Sequence, residues 1–575
     1  MCRGPMLARK FASQVLIFLL AGMAIFLTQA LLSDQDSISP MRIQIVADVN
    51  RDGKVEFDSD EFGKNVWTLK RGAIFFNNND SDQNSKEPDH ADSVVNGNED
   101  LKDLAVLKIK RVPDLPENAQ ISIYVDDTSL SRVNLFQKAG DNDYKVVNLS
   151  TEGNINPVQL METDLELRIE ANSYADGSWG GITEVAVSVK TPEGKTHFDS
   201  VKLKVAPFIL LSNLNKGRAL YVREIPEQNE KFIESLGKLV PEAEAELVIV
   251  SGGEPYHPSN VWLQDAIEIG YSEMPGQKMN VVLIANRNRS LDSYAKDRLL
   301  GPDFGWIRVG TYREGYGGGR GHNRWLDWYG NLEVTPPLPG YPLGRIYYGY
   351  NPEGPKEASL NPEIVAMLEA QGVQAPALRL DTGWLLIKHV DEVLSFLPSG
   401  DSAHPYKVLV VDTEAMISLL EEWISEGYGA LEMFDLDSEK ATVSSLLKNK
   451  ILMDFNKKLQ SERIEPNISL IKRELSLREE DLIRVPSFFD NFGVSLVPNM
   501  VNSTVLNGHI FIVAPNGPVI DGQDQLEEEM RRLISGLPLT PHFLDAQVYH
   551  RHGGEVHCAT NVRRDGFSTA WWEMK

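Results

Sequence analysis

The chain has 575 residues, 42% of them apolar, with 57 basic against 82 acidic side chains and a net charge of −25. At about 150 residues per domain this length predicts several packed units, and the acidic balance excludes a nucleic-acid binder, whose phosphates need a basic footprint. Two cysteines, Cys2 and Cys558, exclude a disulfide framework, and cations or basic polypeptides are the guests such a surface attracts.

In chain order, Arg3, Arg9 and Lys10 precede the apolar run "VLIFLLAGMAIFL", the basic and apolar regions of an export signal. Residues 1–36 are expected to be a cleaved signal peptide or an uncleaved membrane anchor, leaving the rest exported, either secreted or tethered. From Ile43 to about Pro207, short alternating segments such as "MRIQIVADV", "GAIFFNNND", "LAVLKIKRV", "QISIYVDD" and "EVAVSVKTP" predict a β-sandwich over 41–207, with immunoglobulin-like units allowed by its length. After Phe208, strands like "ELVIVSG", "MNVVLIAN", "YKVLVVDT" and "HIFIVAP" alternate with helical stretches such as "NPEIVAMLEAQG", "EAMISLLEEWISEG" and "QLEEEMRRLISG". This predicts an α/β domain over 208–575. "YREGYGGGRGHNRW" lacks the GKS/T ending and flanking elements of a phosphate loop and reads as a mobile surface loop. No internal repeat is visible.

Two stretches of the sandwich carry oxygen ligands. In "DVNRDGKVE", Asp48, Asn50, Asp52 and Glu56 surround a Gly turn, as in a loop that wraps a hard cation, but the twelfth position is Ser59 and no helix follows. The loop is a calcium site in a β context or a polar turn. Farther on, Asn78, Asp80, Asp82, Asp89, Asp92, Asp100 and Asp103 crowd together in sequence. Either bound calcium neutralises them or they form a solvated acidic loop.

In the α/β domain, "VWLQDAIEIGY", "WLLIKHVDEVLSFLP" and "GEVHC" place polar groups in apolar surroundings. His389 and Asp391 lie two apart, so on an extended strand they would point the same way. A thiolate at Cys558 would be a strong nucleophile, and a carboxylate pair beyond a Cys and a His suits a guanidinium. Taken singly, each of these residues has a plain reading as core.

"QDAIEIGY", "GPDFG", "GNLEVTPP", "YPLGRI", "KHVDEVLSF", "PNMVN", "GPVIDG", "GEVHC" and "TNVRR" occur in the order found in the peptidylarginine deiminases, and the resemblance runs from about Ile43 to the C-terminus. It implies an immunoglobulin-like β-sandwich region followed by a five-fold α/β propeller, the pentein fold, that converts peptidyl-arginine to peptidyl-citrulline and ammonia. By motif position, Cys558 is similar to the family's nucleophile, His389 to its general acid/base, and Asp265 and Asp391 to its guanidinium-binding carboxylates. Arg287 and Arg289 match arginines that contact the substrate backbone, and Trp262 matches the wall for the arginine methylenes. Calcium is implied at Gln264, Glu268, Glu333 and the carbonyls of Tyr329 and Leu332. It is implied also at Asn78, Asp80, Asp82, Asp89, Asp92, Asp100, Asp103, Glu170 and Asp303, and at Asp48, Asn50, Asp52 and Glu56. A second cleft-side site looks broken, with Ala266, Ile284 and Ala285 where oxygen ligands are expected. The resemblance leaves out the N-terminal domain of the vertebrate enzymes, which is not expected here, and "YHRHGG" differs near the cleft rim at His552, so peptide preference is not carried over. Arginine-containing proteins or peptides are the expected substrates. The rivals are a deiminase of free arginine or agmatine, and an exported, calcium-stabilised binding protein with an inactive catalytic domain.

Overall fold

The period-two segments of the first region become strands because alternate residues bury on one face. In Gln120–Val125, Ile121, Ile123 and Val125 are buried, and in Leu165–Ala171 so are Leu165, Leu167 and Ile169. The computed structural model describes residues 41–574 except 84, 117, 142, 252–259, 314–322, 356–357 and 437–438. The expected leader and most of the Gly-rich loop lie outside the described residues. Among those described, no helix is long and apolar enough to cross a membrane.

Two sheets make up the first region. One runs Ile45–Ala47, Ala105–Ile109, Leu165–Ala171, Val133–Lys138, Tyr144–Val146, all antiparallel. The other runs Ala73–Phe75, Thr196–Val205, Ile182–Lys190, Gln120–Val125, antiparallel except for its first pair. Asp199 links the two sheets: its carboxylate accepts from the Ile45 N–H at 2.8 Å and pairs with the buried Lys64 ammonium at 2.5 Å.

Beyond Phe208 the described residues include five small sheets built alike, besides two short two-stranded ones. Each has a central strand, an antiparallel neighbour and a parallel neighbour. The centres are Gly217–Arg223, Gln277–Ile284, Ile346–Tyr350, Tyr406–Asp412 and His509–Val513. The helices expected from the sequence are present and capped. Asn361 caps Pro362–Gln371, which stops at Gly372 with a φ of 74°, and Asp412 caps Thr413–Ser425.

The antiparallel strand of each sheet is entered by a short turn. Leu263–Ala266 precedes Ile267–Met274, Tyr329–Asn331 precedes Leu332–Val334, and Val390–Glu392 precedes Leu394–Pro398. Asn499–Ser503 leads into Thr504–Leu506, and Val556–Ala559 into Thr560–Arg564. The 263–266 turn touches those at 329–331 and 556–559, and the 329–331 turn touches the one at 390–392.

Candidate active site

Four of these turns bring one residue each to a common point: Asp265, Gly330, Asp391 and Cys558. His389 caps the Asp391 turn, with its backbone N–H donating to Glu392 at 3.2 Å and Lys388 before it at a φ of 70°. His389 and Asp391 therefore sit on a 3-10 turn rather than the extended strand expected. They still face the same way, because the tight turn returns both side chains to the interior.

His389 is fully buried. Its Nε2 lies 2.8 Å from the Trp325 carbonyl, and a carbonyl only accepts, so Nε2 carries a proton and Nδ1 faces the site. Nδ1 is 3.3 Å from Asp265 Oδ1, yet the two are not aligned for a hydrogen bond. The Asp391 Oδ2 atom accepts from His557 Nδ1 at 2.9 Å and from the Cys558 thiol at 3.4 Å. Asp265 Oδ1, Asp391 Oδ1 and His389 Nδ1 are all buried without a hydrogen-bond partner among the described residues. Orphaned buried polar atoms are costly, and three around one point mark a place for a ligand rich in N–H donors.

Gly330 keeps that place open. A Cβ there would lie 2.6 Å from His389 Nδ1, 2.9 Å from Asp265 Oδ1 and 3.1 Å from Asp391 Oδ2. Its significance was not visible in the sequence, where it is one glycine among 44. Gly330→Ala is expected to lower kcat/KM at least about 100-fold, since even a small misplacement of reacting groups costs that much. The melting temperature should move little; parallel activity and unfolding measurements check this.

The thiol sits in an unfavourable field. Burial pushes the Cys558 pKa well above its ordinary value, and Asp391, Asp265 and Glu392 push the same way. Burial also raises Asp265, against the pull of His389 and Arg287. A cation entering the gap would offset both effects.

Trp262 is buried against Tyr549, with ring centroids 5.8 Å apart, and its six-membered ring lies where a Gly554 side chain would clash. Arg289 is half-buried at the start of the Ser290–Ser293 turn. Arg287 is 1% exposed. Its Nε pairs with Asp292 at 2.9 Å, its Nη1 donates to the Trp262 carbonyl at 3.1 Å, and its guanidinium lies over Trp328. Its backbone N–H also donates to Asp292, so the turn folds the side chain inward.

The expected cation ligands fall into three places. Near the gap, Gln264, Glu268 and Glu333 line a small pocket with His557 and Arg564. Burial raises the Glu333 carboxyl to about 7, with Asp391 adding to it, and raises Glu268 well above its usual range, with Glu333 adding to it. Arg564 spends its donors on the Asn213, Asn215 and Val505 carbonyls. Glu333 Oε1 has no aligned hydrogen-bond donor, and the Tyr329 carbonyl is 3.4 Å from Gln264 Nε2. Gln264 turns its Nε2 to Glu268 at 2.6 Å and its Oε1 to Asn561, so the Glu268 and Glu333 carboxylates and the Tyr329 carbonyl are the oxygens here that fit a hard cation. Ala266, Ile284 and Ala285 are buried in apolar core and supply no side-chain oxygen.

At the join of the two regions, Asp80, Asp103 and Asp303 form one carboxylate cluster and Asp82, Asp89 and Asp100 another, with oxygens within 4.8 Å in each. Burial and, after it, neighbouring carboxylates raise Asp80 to about 9, Asp103 to about 8 and Asp89 to about 7. Glu170 rises to about 8 by burial, although Asn134 and Asn78 donate to it. Asn78 Oδ1, Asn79 Oδ1, Asp80 Oδ1 and Asp82 Oδ2 are buried without partners among the described residues. These residues fit calcium better than they fit bare carboxylates. Asp92 stands apart: it is exposed, and its oxygens are taken by the Val94 N–H and the Asn96 amide.

In the third place, Asp48 accepts from the Asp52 and Gly53 N–H groups, and Asn50 Oδ1 from Asp52 as well. Glu56 is exposed, while the buried Asp60 takes the N–H groups of Val49, Asn50 and Glu56. Asp60 thus holds this loop, a role the spacing rule missed because it lies one place beyond the expected twelfth position.

The family profile described as "Protein-arginine deiminase (PAD)" matches residues 195–573, and the one described as "Protein-arginine deiminase (PAD) middle domain" matches 41–191. The mouse protein-arginine deiminase type-4 is 33% identical over 93% of this chain and 83% of its own length. The human protein-arginine deiminase type-1 is 32% identical over 92% of this chain and 82% of its own. Among solved structures, the C. jejuni agmatine deiminase aligns with 62% of this chain and 96% of its own at 11% identity and a TM-score of 0.37, too remote to bear on the substrate. Profiles spanning both regions and relatives matched along nearly the whole described chain agree with the geometry at Cys558, and this chain belongs to the protein-arginine deiminase family.

Proposed function

We propose that the protein hydrolyses peptidyl-arginine to peptidyl-citrulline and ammonia, with calcium holding the site in order. The observation that carries this reading is the gap beside Cys558, where three buried acceptors lack donors. A guanidinium brings five N–H donors and a permanent positive charge in one plane. Asp265 and Asp391 would take its N–H groups, and Trp262 would flank the aliphatic stem. Arg289 and Arg287 would serve the peptide backbone, and Arg287 would also fix the Trp262 segment.

The chemistry follows from these placements. The bound cation favours transfer of the Cys558 proton to the bare His389 Nδ1, and the thiolate attacks the guanidinium carbon and forms a C–S bond. His389, protonated at Nδ1, gives that proton to one amino group, the C–N bond breaks, and ammonia leaves a cationic thiouronium on Cys558. Nδ1 then takes a proton from water as its oxygen adds to the carbon. The C–S bond breaks with its electron pair returning to sulfur, and the carbon retains oxygen as citrulline. The remaining proton goes to ammonia, so guanidinium and water become urea and ammonium.

Calcium would be held by Gln264, Glu268, Glu333 and the carbonyls of Tyr329 and Leu332, and by the carboxylate clusters of the sandwich. When bound it supplies positive charge that keeps those carboxylates ionised. The two sheets of the first region read as an immunoglobulin-like sandwich ending near 207. The five like sheets after it read as the blades of a pentein propeller. Residues 1–36 complete the proposal as an export segment, and extracellular calcium is high enough to fill weak sites.

The test is citrulline release from an N-acylated arginine amide and from free arginine, with calcium or with chelator. Turnover of the blocked arginine, lost in chelator, is the expected result. Turnover of free arginine without calcium would move the protein to the small-molecule deiminases, and silence on both with calcium-dependent stabilisation would favour a binding protein.

A further inference from the structure

The fifth turn has no part in the mechanism so far. Of the five turns that enter the antiparallel strands, four bring a group to the gap, and the fifth holds Asn502. Asn502 lies two residues ahead of its strand, as Asp265, Gly330 and Cys558 lie ahead of theirs. Its side chain is 1% exposed and reaches Cys558 twice. Oδ1 accepts the Cys558 backbone N–H at 3.2 Å, and Nδ2 lies 3.2 Å from Sγ. The amide orientation is fixed by chemistry: a backbone N–H only donates, so the atom facing it is Oδ1, which turns Nδ2 toward the sulfur. The Asn502 carbonyl also accepts from the His557 N–H, and the Thr504 and Thr560 hydroxyls meet at 2.8 Å, locking the two turns side by side.

We propose that Asn502 is a catalytic residue whose Nδ2–H donates to the Cys558 thiolate and so holds sulfur in its reactive, ionised form. The other ionisable groups around Sγ are Asp391, Asp265 and Glu392, which oppose a negative sulfur, and the His389 and His557 imidazoles, which approach Asp265 and Asp391. Among the described neighbours, Asn502 is the neutral side-chain N–H donor aimed at sulfur, and a donor to a charged atom is worth more than one to a neutral atom. The same donor would also hold the thiolate while the thiouronium is hydrolysed and sulfur departs as an anion.

The proposal rests on Cys558 as nucleophile, which citrulline release by the wild type tests separately. The deciding experiment is the rate of Cys558 alkylation by iodoacetamide against pH, on the calcium-loaded full chain, with peptide mapping to separate Cys558 from Cys2. Asn502→Asp keeps the acceptor for the backbone N–H and replaces the donor; Asn502→Ala removes both. Both are expected to move the alkylation midpoint upward by at least about one pH unit, lowering the rate near pH 7 about tenfold. Activity of Asn502→Asp should recover as pH rises. Unchanged alkylation profiles in the folded variants of an active wild type would overturn the proposal. Loss of folding in both variants would also overturn it, making Asn502 a structural residue.

Discussion

Asp391→Asn is expected to lower kcat/KM by about three orders of magnitude while the protein stays folded. Asp391 has one buried oxygen without a partner, and the other, beside the gap at Gly330, is shared by His557 and Cys558. The substitution removes the charge that faces the guanidinium and weakens two further hydrogen bonds. Hydrogen bonds to charged groups are worth about 1.5–3 kcal/mol each, and about 4 kcal/mol corresponds to a factor of about 1000. The loss should fall on kcat as well as KM, because the carboxylate holds the guanidinium carbon in reach of sulfur. Steady-state kinetics on a blocked arginine, beside thermal unfolding, check the prediction. An unchanged kcat would mean that Asp391 only binds.

The second large effect is on stability, and its sign follows from the carboxylate clusters. Without an ion, folded Asp80, Asp103, Glu170 and Asp89 hold protons up to about 9, 8, 8 and 7. The unfolded chain releases those protons near pH 4. Stability falls with pH wherever the folded state holds more protons, so the ion-free protein loses stability steadily from about pH 4 to about pH 9. Calcium takes carboxylates in their ionised form, so its benefit grows over the same window. Saturating calcium is expected to raise the melting temperature by at least about 5 °C at pH 8 and by under about 2 °C at pH 5. Melting curves in calcium and in chelator across this range test it, and a shift independent of pH would contradict the assignment. Asp80→Asn combined with Asp103→Asn should flatten the ion-free pH dependence and remove most of the calcium shift.

Much of this architecture is legible in the sequence because it depends on short-range chemistry. Strands such as Gln120–Val125 and Tyr406–Asp412 and helices such as Thr413–Ser425 form where period and capping residues place them. Cys558, His389, Asp265 and Asp391 stand out because their motifs are collinear with a known family. Their convergence does not, since Asp265, Asp391 and Cys558 are brought together only by tertiary folding. The likeness of the five sheets escapes sequence reading for a physical reason. The equivalent turns carry Asp, Gly, Asp, Asn and Cys, so no single residue type marks all five. Gly330 is silent because its contribution is the absence of a side chain. The inward fold of Arg287 depends on Asp292, five residues on, and on the Trp262 carbonyl, a distant partner that no local pattern reveals.

The most direct measurement of the central claim is joint release of citrulline and ammonia from a blocked arginine by calcium-loaded protein, wild type beside Cys558→Ala. The account predicts equal amounts of both products from the wild type and less than about one part in a thousand of that rate from the variant. Citrulline formed at a comparable rate without the Cys558 sulfur would contradict it, and so would a folded, calcium-loaded wild type that leaves the blocked arginine untouched.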